Sequence, residues 1–179
     1  DNPDAWIRTA VSALDIRTPG KDNRPITFPY PKLMNANNNV DQAAAMVLCD
    51  TETAARLGIS EDKWIYPWTS THGCDTTEVS HRDNLYSSPA IRIAGRRCLE
   101  LAQLDVEDLD YVDVYSCFPS AVQVAANELG LSHDRPLTVT GGLTFAGGPL
   151  NNYVMHALVK MAKLLREDRE AIGLVTSNG

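Results

Sequence analysis

Apolar runs and amphipathic segments alternate along the chain from residue 42 onward. Continuous apolar or β-branched runs predict buried strands, whereas apolar residues that recur every three to four positions predict helices. The predicted strands cover residues 42–50, 64–70, 111–118, 137–140 and 171–179. The predicted helices between them cover residues 51–59, 87–104, 119–130 and 153–167. Alternation of this kind favours an α/β fold class, with right-handed crossovers wherever consecutive strands are parallel.

Capping residues and helical periodicity support the predicted helices. Polar caps or proline suit the start of a helix, and glycine suits its end. The cap candidates are Asp50 or Thr51, Gly58, Ser88 with Pro89, and Gly130. On the last helix, His156 and Lys163 are expected on the solvent side. The opposite, core face is expected to contain Val154, Ala157, Leu158, Met161 and Leu165.

Residues 1–41 are predicted to be largely irregular, although residues 4–16 could form a short helix. They contain five of the ten prolines, and the asparagine-rich stretch NANNN follows at 35–39. Proline and asparagine favour turns and extended loops. The NANNN stretch is typical of a solvated turn, with a binding loop as the alternative.

Three unusual segments fall at the predicted ends of strands. They are YSCF at 115–118, GGLTFAGGP at 141–149 and SNG at 177–179. Ligands of α/β proteins gather at the carboxyl ends of the strands, so we expect a site there. The glycine spacing from Gly142 to Gly147 matches a phosphate-binding loop. Gly148 and Pro149 follow it, however, where that loop needs lysine and a hydroxyl residue, which argues against a nucleotide site.

Composition narrows the possible functions. The chain has 179 residues and a formal net charge of −7, which argues against a nucleic-acid partner. No apolar run approaches the roughly 20 residues that span a membrane. Four cysteines without paired spacing suggest a reducing, cytoplasmic setting. His72 and His81 lie nine residues apart on a polar stretch, which is not metal-ligand spacing, so no metal site is expected.

Three stretches resemble the thiolase superfamily, and in particular its sterol-carrier-type branch of acetyl-CoA acetyltransferases. Residues 40–59, VDQAAAMVLCDTETAARLGI, resemble the end of the N-terminal half of a thiolase. Residues 108–131 resemble the strand and helix that carry the family's NEAF motif, which reads HDCF in that branch. Residues 138–165 resemble the loop with the GHP motif and the helix behind it. Together they cover roughly residues 25–179 in the family's order.

The resemblance implies a thiolase-like layered α/β/α/β/α fold. Residues 1–41 would be a remnant of the loop region, and residues 42–60 the end of the N-terminal half. Residues 61–179 would form most of the C-terminal half. The family's nucleophilic cysteine would lie before residue 1, since no cysteine of this chain matches it. The family also implies a homo-oligomer, such as a dimer.

Carried over by motif, the resemblance assigns catalytic positions whose residues have changed. The NEAF positions fall on Tyr115, Ser116 and Cys117, with the phenylalanine kept as Phe118. The GHP histidine falls on Gly148, between Gly147 and Pro149, which are kept. The second family cysteine falls near Ser177 or Asn178. The implied substrate- and CoA-binding positions are Phe118, Gly147, Pro149 and Asn178.

The resemblance implies an acyl-CoA acyltransferase of lipid metabolism, with a coenzyme A thioester as substrate and no bound cofactor. Glycine at 148 removes a histidine that activates the thiol and helps to bind the thioester oxyanion, so standard thiolase catalysis is expected to be weak. A different acyl-CoA reaction, such as a retro-aldol cleavage, remains open. The alternative is a non-catalytic CoA- or acyl-binding protein, or a structural subunit of a larger complex.

Overall fold

The computed structural model describes residues 2–178 as a mixed α/β structure. The α-helices are α1 Ala13–Arg17, α2 Thr51–Arg56, α3 Pro89–Ala102, α4 Pro119–Leu129, α5 Gly142–Phe145 and α6 Tyr153–Glu167. The strands are β1 Pro25–Thr27, β2 Tyr30–Pro31, β3 Tyr111–Asp113 and β4 Gly173–Val175. Short 3-10 turns cover Lys32–Met34, Glu61–Lys63, Val79–His81, Val106–Asp108 and Leu150–Asn152.

The core lies around the parallel pair of β3 and β4. Val112 pairs with Leu174, and both Val112 and Val114 are fully buried. Helices α3 and α4 pack against each other, and α4 contributes Ala126 to the same apolar cluster as Val112. Helix α6 packs on β4. Short apolar side chains in the sheet therefore allow helices to approach it closely, and this fixes the strand ends.

The predicted helix ends are confirmed. The Asp50 carboxylate accepts a hydrogen bond from the N–H of Thr53, at 2.6 Å, at the start of α2. Ser88 caps α3 in the same way through the N–H of Ile91, and Pro89 occupies the first turn. Gly130 ends α4 in the left-handed conformation, with φ +74°. Each cap satisfies backbone groups that a helix end leaves unpaired.

Helix α6 forms as predicted, but two residues lie on the wrong face. Ala157 and Met161 are buried as expected. Leu158 is exposed instead of buried. The ring atom Nε2 of His156 is buried rather than solvated, and among residues 2–178 it has no hydrogen-bond partner. Asp4, in the N-terminal segment, lies beside this helix and pairs with Lys163.

The strands predicted at 42–50 and 64–70 are wrong for the described part of the chain. Neither segment pairs with another strand within residues 2–178. Val47 is 87% exposed and Leu48 76% exposed, so the first run is not a core strand here. In the second segment, the Thr69 hydroxyl donates to the carbonyl oxygen of Cys98 on α3. A side-chain hydrogen bond, and not pairing with a strand, therefore attaches this segment to the helix. An apolar run becomes a strand only where another strand can satisfy its backbone.

The strand predicted at 137–140 is also replaced by a loop. The N–H of Val114 donates to the carbonyl oxygen of Leu137, at 2.9 Å, as a strand ladder would begin. The next amides turn instead toward the carboxylate of Asp113. The strand predicted at 111–118 is shortened to β3, and that at 171–179 to β4.

The first 41 residues contain more regular structure than predicted. Ser12 and Asp15 form a capping box on α1, and β1 and β2 form a short hairpin. Before α1, the N–H of Ile7 donates to the carbonyl oxygen of Phe145, at 2.8 Å. The N-terminal segment is thus attached to the region of α5. The half and loop-region boundaries at 41 and 60 stay predictions.

Within residues 2–178, we find no helix with both the length and the apolar character that a membrane crossing requires.

Candidate functional site

The segment 115–118 lies where β3 ends, next to the end of β4. The backbone N–H of Tyr115 donates to Oγ1 of Thr176, at 2.8 Å. The N–H of Thr176 donates in turn to the carbonyl oxygen of Asp113, at 3.0 Å. Because β3 and β4 are parallel, their carboxyl ends lie side by side. The sequence prediction that YSCF and SNG converge is therefore confirmed for Ser177 and Asn178, which line a cleft with Tyr115, whereas Gly179 lies outside the described residues.

A buried carboxylate, that of Asp113, organises the backbone beside this segment. Its Oδ2 accepts hydrogen bonds from the hydroxyls of Thr138 and Thr140, at 2.7 and 2.9 Å. The same oxygen accepts from the N–H groups of Val139 and Thr140, at 3.0 and 3.1 Å. Asp113 is fully buried, so these donors replace the water that the carboxylate loses. They also fix the course of residues 138–140.

Tyr153 connects this carboxylate to the site. Its hydroxyl donates to Oδ1 of Asp113, at 3.0 Å, and lies 2.7 Å from Oγ1 of Thr140. Burial, and then the Asp113 charge, raise the pKa of Tyr153, so the phenol stays neutral and can donate. Its ring contacts Tyr115 edge to face, with centroids 5.6 Å apart. Helix α6 thereby positions the ring of Tyr115.

Sequence reasoning missed both Asp113 and Tyr153 as determinants of the site. The signal was available, because Asp113 interrupts the apolar run YVDVY, where a charge needs buried partners. Tyr153 has no comparable signal, because the sequence pattern marks it only as the first residue of a predicted helix.

Residues 141–149, here the glycine loop, approach the segment 115–118 very closely. Gly141 and Gly142 have φ of +100° and +79°, in the left-handed region. The N–H of Leu143 donates to Oγ of Ser116, at 3.1 Å. A Cβ on Gly142 would lie only 2.9 Å from that oxygen. Glycine is therefore required at 142 both by the backbone conformation and by the close approach of Ser116.

The second half of the glycine loop lies against the asparagine-rich stretch. The N–H of Gly148 donates to the carbonyl oxygen of Asn37, at 2.8 Å. Gly147, with φ +104°, leaves no space for a Cβ because the side-chain oxygen of Gln42 lies there. Nε2 of Gln42 donates to the carbonyl oxygen of Ala146, at 3.0 Å. The NANNN stretch is thus packed on the loop rather than being a free turn.

Two of the predicted catalytic positions, Tyr115 and Cys117, line one apolar cluster. It is built on Leu143, Ala146 and Tyr153. Burial raises the pKa of the Cys117 thiol, and burial together with the Cys117 charge raises the pKa of Tyr115. Both groups therefore stay protonated at neutral pH. They can pack against a ligand or donate a hydrogen bond, but they make poor bases there.

The predicted binding positions lie on two sides of this cluster. Phe118 is 41% exposed and stacks on Tyr30 of the hairpin, with ring centroids 5.7 Å apart. Asn178 lines a narrow cleft together with Tyr115 and Ser177. Gly147 and Gly148 are buried, and Pro149 is half-buried. Ala36 packs on the Tyr115 cluster and also lies 3.5 Å from where a Cβ of Gly148 would stand, so it borders both sides.

A metal site is not formed within residues 2–178, where no group of three or more potential metal-ligating side chains comes together. Nε2 of His72 lies 3.3 Å from Sγ of Cys74, but His81 is not part of that contact. The two cysteines outside the core, Cys49 and Cys74, are exposed.

Comparison with known proteins links this chain to one superfamily. No family model matches the chain. It is 23% identical over 168 residues to an acetyl-CoA acetyltransferase of Methanocaldococcus jannaschii, covering 83% of this chain and 42% of that protein. It is 30% identical over 142 residues to an acetyl-CoA acetyltransferase of Chromobacterium violaceum, covering 79% of this chain and 34% of that protein.

A solved structure confirms the thiolase-like fold. The chain superimposes on a monomeric SCP2-thiolase-like protein type 1 from Mycobacterium smegmatis with a TM-score of 0.86 and 33% identity. The match covers 99% of this chain and 39% of that one. The chain spans less than half the length of these relatives. On the evidence of fold and sequence together, it belongs to the thiolase superfamily.

Proposed function

We propose that the chain forms the thioester-binding part of a thiolase-like acyl-CoA acyltransferase. The observation that carries this proposal is the packing of the glycine loop on the segment 115–118, through the Ser116 and Leu143 hydrogen bond of 3.1 Å. It joins the loop to a segment whose Tyr115 also lines a narrow cleft with Ser177 and Asn178. The curated relatives are named acetyl-CoA acetyltransferases, which supports a CoA thioester as the ligand.

The site has features that suit a thioester. The acyl group would contact the half-buried side chains of Tyr115 and Cys117, which pack on the apolar cluster around Leu143 and Ala146. The neutral hydroxyl of Tyr115 would be available as a hydrogen-bond donor, because its raised pKa keeps the proton on the phenol. The predicted binding positions Phe118, Gly147, Pro149 and Asn178 would surround the ligand. Coenzyme A would act as part of the substrate rather than as a bound cofactor.

We expect standard thiolase activity to be weak. Gly148 offers no side chain to activate a thiol, and removal of one oxyanion donor alone typically costs about 10²–10³ in rate. The nucleophile of any transfer reaction would come from residues outside the described chain. A cytoplasmic location, a role in lipid metabolism and homo-oligomer formation stay predictions.

A specific observation also favours a second function, non-catalytic binding of CoA or acyl-CoA. The raised pKa values of Tyr115 and Cys117 keep both groups neutral at pH 7. The Ser116 hydroxyl accepts a backbone hydrogen bond, and Gly148 has no side chain. The four motif positions therefore supply no general base at neutral pH, as a binding protein or structural subunit would allow.

Turnover of acetoacetyl-CoA with CoA by the full-length protein distinguishes the two functions. Loss of the thioester enolate absorbance at ordinary thiolase rates would exclude the binding-only alternative. Absence of turnover together with stabilisation against heat by CoA would support it, because a ligand that binds only the folded state raises the melting temperature. Absence of both would contradict the whole proposal.

The variant Gly148→His tests the assignment of the altered motif. Its Cβ would stand 3.2 Å from Oδ1 of Asn38, so the exposed Asn38 side chain must shift slightly. We expect changed CoA binding or a gain in thiolytic activity. The control, Gly20→His, places the same side chain where no atom lies within 4 Å, and should change neither. If Gly148→His behaves like the control, Gly148 does not occupy the position of the motif histidine.

A further inference from the structure

Asn38 borders the space that the missing side chain of Gly148 leaves. A Cβ on Gly148 would lie 3.2 Å from Oδ1 of Asn38 and 3.5 Å from Cβ of Ala36. The φ of Gly148 is not in the left-handed region, so the backbone conformation itself does not demand glycine. Gly148 has no side chain. The polar group at this point of the loop is therefore the carboxamide of Asn38.

The carboxamide of Asn38 is free to bind a ligand. Asn38 is exposed, and its side chain takes part in none of the hydrogen bonds that join residues 2–178. Asn35 differs, since its Nδ2 donates to the carbonyl oxygen of Pro31, at 2.7 Å. An asparagine side chain offers two N–H donors and one carbonyl acceptor. All three are available at Asn38.

The backbone around Asn38 is held in place although its side chain is free. The N–H of Asn37 donates to the carbonyl oxygen of Leu143, at 3.1 Å, and its own carbonyl accepts from Gly148, at 2.8 Å. On the other side, Ala36 packs against the cluster that includes Tyr115 and Cys117. The chain thus fixes Asn38 at the rim of the apolar site. A fixed backbone reduces the entropy lost when the side chain binds.

We propose that Asn38 donates a hydrogen bond to the carbonyl oxygen of a CoA thioester and so distinguishes the thioester from compounds without that carbonyl. This inference rests on the proposed function. The reasoning is chemical: an amide N–H pairs well with a carbonyl oxygen, whereas a thioether sulfur is a weak acceptor. An acyl group on the Tyr115 side of the cluster, which Ala36 borders, would lie near Asn38, and the carboxamide would bind the polar atom beside it.

Two ligands that differ only at this oxygen test the proposal. Acetyl-CoA carries the carbonyl, and S-ethyl-CoA replaces it with a methylene group. With the full-length protein, titration calorimetry should show acetyl-CoA binding about five-fold more tightly, as expected for one neutral hydrogen bond. The variant Asn38→Ala should lose this preference while keeping its affinity for S-ethyl-CoA.

Two further variants exclude a purely structural effect. Asn38→Asp keeps the size of the side chain but replaces the donor with a negatively charged acceptor, and should weaken acetyl-CoA at least as much as alanine does. Asn39→Ala changes the exposed neighbour and should retain the wild-type preference. A preference for acetyl-CoA that survives in Asn38→Ala, or equal affinities in the wild type, would overturn the role of Asn38. Wild-type protein that binds neither compound nor free CoA would overturn the proposed function itself.

Discussion

The hydroxyl of Tyr153 donates to Oδ1 of Asp113 across a distance of 3.0 Å. This one bond joins the first residue of α6 to the last residue of β3 in the interior of the protein. The same carboxylate holds residues 138–140, and the same tyrosine ring contacts Tyr115. The geometry of the site thus depends on a polar interaction beneath it.

Removal of that hydroxyl should destabilise the protein. The variant Tyr153→Phe keeps the ring but takes one donor from a buried carboxylate, at a cost of about 1–3 kcal/mol. Urea unfolding of wild type and variant measures the change. Tyr86→Phe is the control, because Tyr86 is 78% exposed, and should change the free energy of unfolding by less than about 0.5 kcal/mol. Equal effects of the two variants would contradict a structural role for the Tyr153 hydroxyl.

Asp113→Asn should destabilise more strongly than Tyr153→Phe. An asparagine can keep an oxygen toward the four donors on Oδ2 only by turning its NH2 group toward the Tyr153 hydroxyl. It also loses the negative charge that strengthens all five hydrogen bonds. We expect a loss of about 3 kcal/mol or more, as measured by urea unfolding. Asp22→Asn, at an exposed position, should have little effect. A loss below about 1 kcal/mol at Asp113 would show that the network is not required.

Gly142→Ala should strain the glycine loop. Its φ of +79° disfavours a Cβ, and that Cβ would meet Oγ of Ser116 at 2.9 Å. We expect destabilisation of about 1–3 kcal/mol, read from thermal or urea unfolding. Gly20→Ala, with no atom within 4 Å, should be neutral or slightly stabilising.

Adding Ser116→Ala separates the two causes of that strain. The double variant removes the oxygen that crowds the new Cβ but keeps the unfavourable φ. It should therefore recover part of the loss. Full recovery of the free energy of unfolding would mean that the contact with Ser116 causes all of the strain. No recovery would mean that the backbone conformation causes it.

The half-buried Cys117 thiol predicts a decline of stability at alkaline pH. Burial raises its pKa in the folded state above the value of about 8.5 in the unfolded chain. Between these two values the unfolded chain has released the proton and the folded chain has not. The unfolded chain therefore binds fewer protons than the folded chain in this range. The free energy of unfolding falls as pH rises above about 8.5.

Urea unfolding at several pH values between 7 and 10 measures this decline. The variant Cys117→Ala should show a smaller decline than the wild type. Cys49→Ala, which removes an exposed thiol, should retain the wild-type pH dependence. Identical pH profiles for wild type and Cys117→Ala would mean that the thiol is not buried in solution.

Helices could be predicted well because their signals are local. Ser88, Pro89 and Gly130 define helix ends within one turn, and the structure places them as expected. Strands depend on distant partners instead. Residues 42–50 have a strand-like pattern, but no strand within residues 2–178 pairs with them.

The site was predicted in outline but not in its supporting contacts. The segments at 115–118 and 177–178 could be brought together because parallel strands align their ends. The role of Asp113 could not be read in detail, since its donors come from residues 25 or more positions away. The position of Asn38 could not be predicted for a similar reason, because only the fold brings it next to Gly148.

The hydrogen bonds around the glycine loop also bear on the order of folding. Nδ2 of Asn2 donates to the carbonyl oxygen of Thr140, the Thr144 hydroxyl donates to Asn35, and Gln42 donates to Ala146. Each of these contacts closes a chain segment of more than 100 residues. Helices need only neighbouring residues, whereas contacts of this length form slowly because the chain must first lose much of its freedom. We therefore expect the glycine loop to become ordered late, after α3 and α4 have formed.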